Sequence, residues 1–218
     1  MAIAFDAATN TSLVTSTVIT YNHTCTGTDR ILFVGVFARN QLVTAVTYAG
    51  ATMTEVGARE GPQGGSSDYI SLYQIVNPAS GTNQVSVTIA ASAVLISGSV
   101  SYTGAKQSGQ PDNSANNNDT AEATTTTTLT TVADNSWLMG MVRAGTDGVT
   151  NASTGTTQRV VGTGHFQMYD GNGLITPAGS ASIVTTQILQ FTMAKIASFS
   201  PSVASIPKSS NFLLMGVG

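Results

Sequence analysis

Alternation of apolar and polar residues recurs along this chain and limits its fold more than any other feature. In "NQVSVTIA" the apolar residues Val85, Val87 and Ile89 alternate with polar neighbours. Two further stretches have the same spacing, with faces formed by Val94, Ile96, Val100 and Tyr102 and by Leu189, Phe191, Met193 and Phe199. A period of two is that of a strand with one buried face. The pattern therefore predicts half-buried antiparallel strands.

Two apolar runs lack this alternation, "ILFVGVFA" at 31–38 and "WLMGMV" at 137–142. Such runs are typical of central strands covered on both faces. Turn signals rich in Gly, Asn, Asp and Pro separate the strand patterns, and no segment combines a helical period with caps. The sequence therefore predicts an all-β fold, a two-sheet antiparallel β-sandwich of jelly-roll-like type.

The two halves of the chain, about 1–105 and 125–200, show the same order of strand patterns. Pro78 and Pro177 occupy matching places in that order. We therefore predict an internal pseudo-repeat within a single sandwich domain over residues 1–200. We expect the halves to be interleaved rather than to form two mini-domains, because each half alone would bury little apolar area.

The segment between the halves is polar. Its Asn/Asp-rich part, "QPDNSANNND" at 110–119, is expected to be a surface loop. The run "TTTTTLTT" at 124–131 fits a strand, since Thr tolerates pleated geometry, or alternatively a disordered linker.

The last residues, 201–218, read as an extended arm with an apolar tip. The stretch "SPSVASIP" is bracketed by prolines and is followed by the uncharged "NFLLMGVG". An exposed apolar tip would be adhesive, so a neighbouring subunit or the chain's own domain must cover it. We predict that Phe212, Leu213, Leu214 and Met215 are assembly residues. The alternative is a last strand folded back on its own sheet.

Charge is scarce, which narrows the range of partners. Charged residues make up 9% of the chain, and eight Lys and Arg residues are scattered against eleven acids, for a net charge of −3. Nucleic-acid binding requires a clustered basic footprint, so no nucleic-acid partner is expected. The N-terminal "MAIAFDAATN" lacks the features of a signal peptide, and no apolar run is long enough for a membrane helix.

The residues that could carry chemistry form no recognisable motif. Cys25 fits a packed thiol, His23 and His165 fit packed or surface histidines, and Glu55 fits an outward-facing strand residue. We therefore expect neither enzymatic activity nor a cofactor. Calcium remains an open alternative at two oxygen-rich but irregularly spaced groups, which are Asp112, Asn113, Asn116 and Asp119, and Asp170 with Asn172.

Aromatic residues bear on a carbohydrate-binding alternative, because sugar-binding modules stack sugars on exposed rings. Trp137 lies in an apolar strand and is expected in the core. The tyrosines that could be exposed on strands are Tyr48, Tyr69, Tyr73, Tyr102 and Tyr169. A lectin-like adhesion module that binds a glycan stays open on this basis.

Several stretches resemble a domain found in bacteriophage structural proteins and bacterial surface proteins. They are "HTCTGTDRILFVGVFA", "VTAVTYAGATMTEVGA", "ISLYQIVNPASGTNQVSVTI" and "GSVSYTGAKQSGQPDNSANN", with similar features in "TTVADNSWLMGMV" and "TPAGS". The resemblance implies a β-sandwich and carries no catalytic residues, since this family is mostly uncharacterised.

The resemblance and the composition together lead us to expect a phage virion protein, either a capsid decoration or auxiliary protein or a tail or fibre component. Its partners would be other virion proteins and copies of itself. We expect synthesis in the host cytoplasm without a signal peptide and use in the virion. Non-classical secretion would also fit these features.

Overall fold

The computed structural model describes residues 1–61, 68–145, 149–152, 156–162 and 166–202, with backbone alone at 120, 121, 149–152 and 187–190. The described residues form fourteen strands in two antiparallel sheets, which confirms the predicted all-β sandwich. The strands are β1 Ala4–Asn10, β2 Val14–Cys25, β3 Ile31–Ala38, β4 Val43–Tyr48, β5 Ala51–Thr52, β6 Thr54–Glu55, β7 Tyr69–Val76, β8 Gly81–Thr103, β9 Asn113–Thr130, β10 Trp137–Ala144, β11 Val149–Ala152, β12 Thr157–Val161, β13 Phe166–Asp170 and β14 Ser180–Phe199.

The N-terminal sheet contains β1 to β8 in the order β5-β4-β8-β3-β7-β6, with β1 and β2 also paired to β8. The long β8 is its spine. The first half of β8 pairs with β2 and β4, and the second half pairs with β1 and β3. The register of β2 against β8 shifts between Ser16 and Val18, next to residues 89–93 of β8. Such an irregularity allows a strand to bend.

The C-terminal sheet repeats the main part of this arrangement with six strands instead of eight. Its order is β11-β14-β10-β13-β12, with β9 paired to β14. Thus β14 takes the place of β8, β10 that of β3, and β9 that of β1 and β2 together. Pro78 lies three positions before the start of β8 at Gly81, and Pro177 lies three positions before the start of β14 at Ser180. The predicted pseudo-repeat is confirmed.

The predicted interleaving of the halves is wrong, because each half builds its own sheet. Strands β1 to β8 stay in the N-terminal sheet and β9 to β14 in the C-terminal sheet. Each sheet curls enough to enclose an apolar cluster of its own, one containing Val34 and Val87 and the other containing Val142 and Ile183. A half can therefore bury apolar area without strands from the other half.

A third apolar cluster joins the two sheets and accounts for the runs without alternation. Phe33 and Phe37 of β3 face this joint core together with Met139 and Met141 of β10. The intervening residues of β3, such as Val34, face the enclosed core of the N-terminal sheet. Both strands are thus covered on both faces, as predicted.

Two glycines set the distance between the sheets. Gly35 of β3 and Gly98 of β8 are paired across adjacent strands. A Cβ atom at Gly98 would lie 2.8 Å from Val160 Cγ1 and 3.3 Å from Met168 Sδ, and one at Gly35 would lie 3.0 Å from Phe166 Cζ. The bare backbone of this pair therefore receives the side chains of the opposite sheet.

The Asn/Asp-rich segment is not the predicted surface loop. Asn113 to Asn118 belong to β9 and pair with Ser198 to Met193 of β14. The side chains of Asn113 and Asn117 donate hydrogen bonds to the carbonyl oxygens of Thr130 and Thr126, at 2.8 Å each. Strand pairing and these bonds override the low strand propensity of Asn. The "TTTTTLTT" run is a strand through Thr130, as one of the two interpretations predicted.

Candidate functional site

An open groove of about 550 Å³ lies where the described chain both begins and stops. Its walls include Met1, Asp134, Asn135, Leu174 and Pro201, and we call it the terminal groove. The side chain of Met1 is 59% exposed and that of Leu174 is 48% exposed. The groove therefore presents apolar side chains to solvent beside the polar Asp134 and Asn135.

The two ends of the described chain are joined at this groove. The terminal ammonium of Met1 donates a hydrogen bond to the carbonyl oxygen of Ser202 at 2.6 Å. Ser202 N in turn donates to the carbonyl oxygen of Gly104 at 2.7 Å. The first two residues of the predicted arm, 201 and 202, are thus fixed against the sandwich. The predicted assembly residues Phe212, Leu213, Leu214 and Met215 lie outside the described residues.

The aromatic side chains are placed mainly inside the sandwich. Trp137 is 7% exposed, as its apolar strand predicted. Of the tyrosines considered for sugar stacking, four are buried and one is half-buried: Tyr48, Tyr73, Tyr102 and Tyr169, and Tyr69. Phe5 is 38% exposed, but the guanidinium of Arg159 covers its ring at 4.1 Å. Within the described ranges these tyrosines offer no stacking platform of the kind that lectin modules use.

A network of polar side chains lies inside the curled N-terminal sheet. The alternation of apolar and polar residues in β8 had suggested that these polar side chains face solvent. Ser97, Ser99 and Ser101 are fully buried. Ser101 Oγ donates to Asp6 Oδ2 at 2.7 Å and contacts His23 Nε2 at 3.0 Å. Because the single hydroxyl proton goes to Asp6, His23 Nε2–H donates to Ser101. His23 Nδ1 then accepts from the hydroxyls of Ser99 and Thr9.

Burial favours the neutral form of His23 in this network. The side chain is 1% exposed, and desolvation lowers its pKa from 6.5 to about 4, against an opposing effect of Asp6. The order of contacts, with a serine between His23 and Asp6, differs from a catalytic triad, in which the carboxylate contacts the histidine. Burial and this order indicate a structural network.

The His23 network predicts a loss of stability in mild acid. The unfolded chain binds a proton near pH 6.5, whereas the folded chain does so near pH 4, so the free energy of unfolding falls as the pH is lowered between these values. We expect a loss of about 3 kcal/mol over this window, at 1.36 kcal/mol per pKa unit. Urea unfolding at several pH values measures it. The variant His23→Gln should lack most of this slope, and an equal slope in both proteins would contradict the assignment.

The oxygen-rich groups considered for calcium have protein partners. Asp112 accepts hydrogen bonds from Ser198 and Ser200, and Asp170 Oδ2 accepts one from Arg159 Nε at 2.7 Å. Asn172 Oδ1 accepts from Arg159 Nη2 at 2.8 Å. Over the parts of the chain that the structure describes, no group of three or more His, Cys, Asp or Glu side chains could hold a metal ion.

The other residues considered for chemistry are spread through the fold. Cys25 is buried, and desolvation raises the pKa of its thiol. Glu55 points outward only in part, since its Oε1 is buried without a hydrogen-bond partner. His165 lies outside the described residues. The part of the chain that the structure describes contains no helix long and apolar enough to cross a membrane.

Four charged side chains lie in or beside the interior of the fold, and the sequence patterns predicted this position for none of them. Arg143, Asp170 and Lys195 are at most 2% exposed, and Arg159 binds Asp170. Each of these first three stands within or at the end of a run of apolar residues, in "MVRA", "MYD" and "MAKIA". A charge at an apolar position of a strand was the signal that could have identified them.

Comparison with protein-family models, curated proteins and solved structures finds no match for this chain. The resemblance to phage structural and bacterial surface proteins therefore remains a prediction from the sequence.

Proposed function

We propose that this chain is a non-enzymatic structural subunit of a bacteriophage virion, either a capsid decoration or auxiliary protein or a tail or fibre component. It acts by protein–protein contact and assembles with copies of itself. The observation that carries the proposal is the position of the terminal groove, directly beside the residue from which the apolar C-terminal segment continues.

The length and composition of the C-terminal segment favour an occupant from a neighbouring copy. Phe212 lies ten positions after Ser202, and Pro207 lies between them. An extended chain of this length spans about 30 Å. The groove adjoins Ser202, so an arm that is extended, as its prolines predict, would place its apolar tip beyond its own groove and within reach of that of another subunit. An exchange of arms between identical copies would produce a homo-oligomer.

The surface chemistry of the chain is consistent with this role. A surface with few charges and many Thr, Ser and Asn side chains carries little electrostatic repulsion between neighbouring copies. The stability of the subunit comes from its three apolar clusters. Binding at the ends of the sandwich would leave these clusters unchanged.

Removal of residues 209–218 is expected to abolish self-assembly and to leave the fold intact. The apolar tip would be lost, while the pairing of the described strands with one another does not involve these residues. Light scattering should report an oligomer for the full chain and a monomer for the shortened one, with the same urea unfolding curve. A shortened chain that fails to fold, or that keeps the oligomeric mass, would contradict the proposal.

Two point variants distinguish the effect of a charge in the terminal groove from the effect of a charge elsewhere on the surface. Leu174→Asp places a charge in the terminal groove and should weaken assembly as the truncation does. Val161→Asp changes an apolar residue of similar exposure, 61% against 48%, at the end of β12 and away from the groove. Equal effects of both variants would show that the groove is not the docking surface.

A further inference from the structure

Lys195 is a buried amine held against an amide side chain. It lies in β14, is 0% exposed and is the direct cross-strand partner of Asn116 in β9. Its Nζ donates hydrogen bonds to Asn116 Oδ1 at 3.0 Å and to the carbonyl oxygen of Ala58. Asn116 Nδ2 donates to the same carbonyl oxygen at 3.0 Å. The buried amine of Lys195 and the amide group of Asn116, a residue that is itself exposed, are thus fixed side by side.

The environment gives this amine a larger neutral, nucleophilic fraction than an exposed lysine has. Desolvation lowers the pKa of Lys195 to about 8, against the opposing charges of Glu55 and Glu60. A neutral amine carries a free electron pair, which an ammonium group lacks. A fixed approach of the reacting groups also removes much of the entropic barrier to a reaction between them.

A carboxylate that could carry the proton lies on the adjoining segment. Glu55 is three residues from Ala58, and its Oε1 is buried without a hydrogen-bond partner. Its Oε2 lies 4.0 Å from Arg59. The carboxylate of Glu60 already has a hydrogen-bond partner, since it accepts a hydrogen bond from Asn118 at 2.7 Å. Glu55 is therefore the better candidate for proton transfer.

The pseudo-repeat provides an internal comparison. Gly98 of β8 corresponds to Lys195 of β14. Ile31, the first residue of β3, pairs with the residue four positions after Gly98. Trp137, the first residue of β10, pairs with the residue four positions after Lys195. Gly98 pairs with Asn10, whose Nδ2 donates to the carbonyl oxygen of Val161 at 2.8 Å. Both halves therefore have the asparagine and its hydrogen bond to a backbone carbonyl of the opposite half. Only the second half adds an amine.

We propose that Lys195 and Asn116 form an intramolecular isopeptide bond that covalently joins β14 to β9. The Nζ atom attacks Asn116 Cγ, a C–N bond forms, the Cγ–Nδ2 bond breaks, and Nδ2 leaves as ammonia. Glu55 takes a proton from Nζ and returns it to the leaving nitrogen, so that the carboxylate is regenerated. Atoms and charge balance, and no oxidant or further reactant is needed.

The bond would connect residues 79 positions apart in sequence. It would prevent β9 and β14 from separating even when the surrounding hydrogen bonds open. Such a link suits a protein that must resist unfolding outside a cell, but the proposal does not depend on the virion assignment.

Intact-mass spectrometry of the purified full chain tests the proposal. The folded protein should be lighter than its sequence mass by one ammonia, about 17 Da. Peptide mapping should find the segments containing Lys195 and Asn116 as one branched peptide. A folded chain at its full sequence mass after prolonged incubation above pH 8 would overturn the proposal.

Matched variants assign the reacting groups. Lys195→Arg should keep the full mass, whereas Lys106→Arg, at an exposed lysine, should lose ammonia as the parent does. Asn116→Asp should lose water, about 18 Da, and give the same linked product. An unchanged mass deficit in Lys195→Arg would overturn the site. Glu55→Gln should slow the loss at least tenfold, and an unchanged rate would overturn the role given to Glu55.

Discussion

Replacement of Arg159 by alanine is expected to lower the free energy of unfolding by about 3–5 kcal/mol, the usual cost of leaving a buried charge without its partner. Arg159 Nε donates to Asp170 Oδ2 at 2.7 Å, and Asp170 is 0% exposed. The same carboxylate accepts a hydrogen bond from Tyr102 at 3.1 Å. Because Tyr102 belongs to the N-terminal sheet and Asp170 to the C-terminal sheet, this group of side chains joins the two sheets.

The chain offers a matched control for this experiment. Arg59 forms the other described ion pair, with Glu55 at 4.0 Å, and the side chains are 39% and 26% exposed. Exposed pairs contribute about 0–1 kcal/mol, so Arg59→Ala should have little effect. Urea unfolding of both variants gives the comparison. Equal losses in the two variants would contradict the view that the Arg159–Asp170 pair is a main connection between the sheets.

Gly98→Ala is expected to lower the free energy of unfolding by about 1–3 kcal/mol, the range for overpacked cores. The added Cβ would lie 2.8 Å from Val160 Cγ1, closer than any ordinary contact. Val160 is 1% exposed, and a β-branched side chain in a strand has few alternative rotamers. The sheets would therefore have to move apart. Urea unfolding measures the loss.

A double-mutant cycle shows whether the contact with Val160 causes this loss. Val160→Ala removes the methyl groups that the new Cβ would meet, so the double variant should be less destabilised than the sum of the single variants. Gly173→Ala is the control, since a Cβ there would meet only Gly171 O at 3.7 Å. Additive effects of Gly98→Ala and Val160→Ala would contradict the packing explanation.

The presence of the main strands and the faces they bury could be predicted because apolar spacing is a local property. Alternation placed Val85, Val87 and Ile89 on one buried face, and the absence of alternation at 31–38 identified a strand covered on both sides. The repeat was visible because the two halves use the same order of such patterns. Curling of each sheet was not predictable in this way, since it depends on irregularities within the long strands β8 and β14.

The polar interior was the least predictable part of the structure. Ser97, Ser99 and Ser101 have the spacing of a solvent-facing edge, and only the position of His23 on a neighbouring strand places them inside. The pairing of Lys195 with Asn116 likewise depends on a register between strands far apart in sequence. Strand patterns identify which face a residue occupies but not which residue lies opposite.

The mass of the full-length protein in solution, measured by light scattering over a range of concentrations, tests the proposed function most directly. One chain has a mass of 22.3 kDa. The proposal predicts a discrete multiple of this value, since the apolar C-terminal segment of each copy would occupy the terminal groove of another. A mass of one chain at every concentration would contradict assembly through these surfaces.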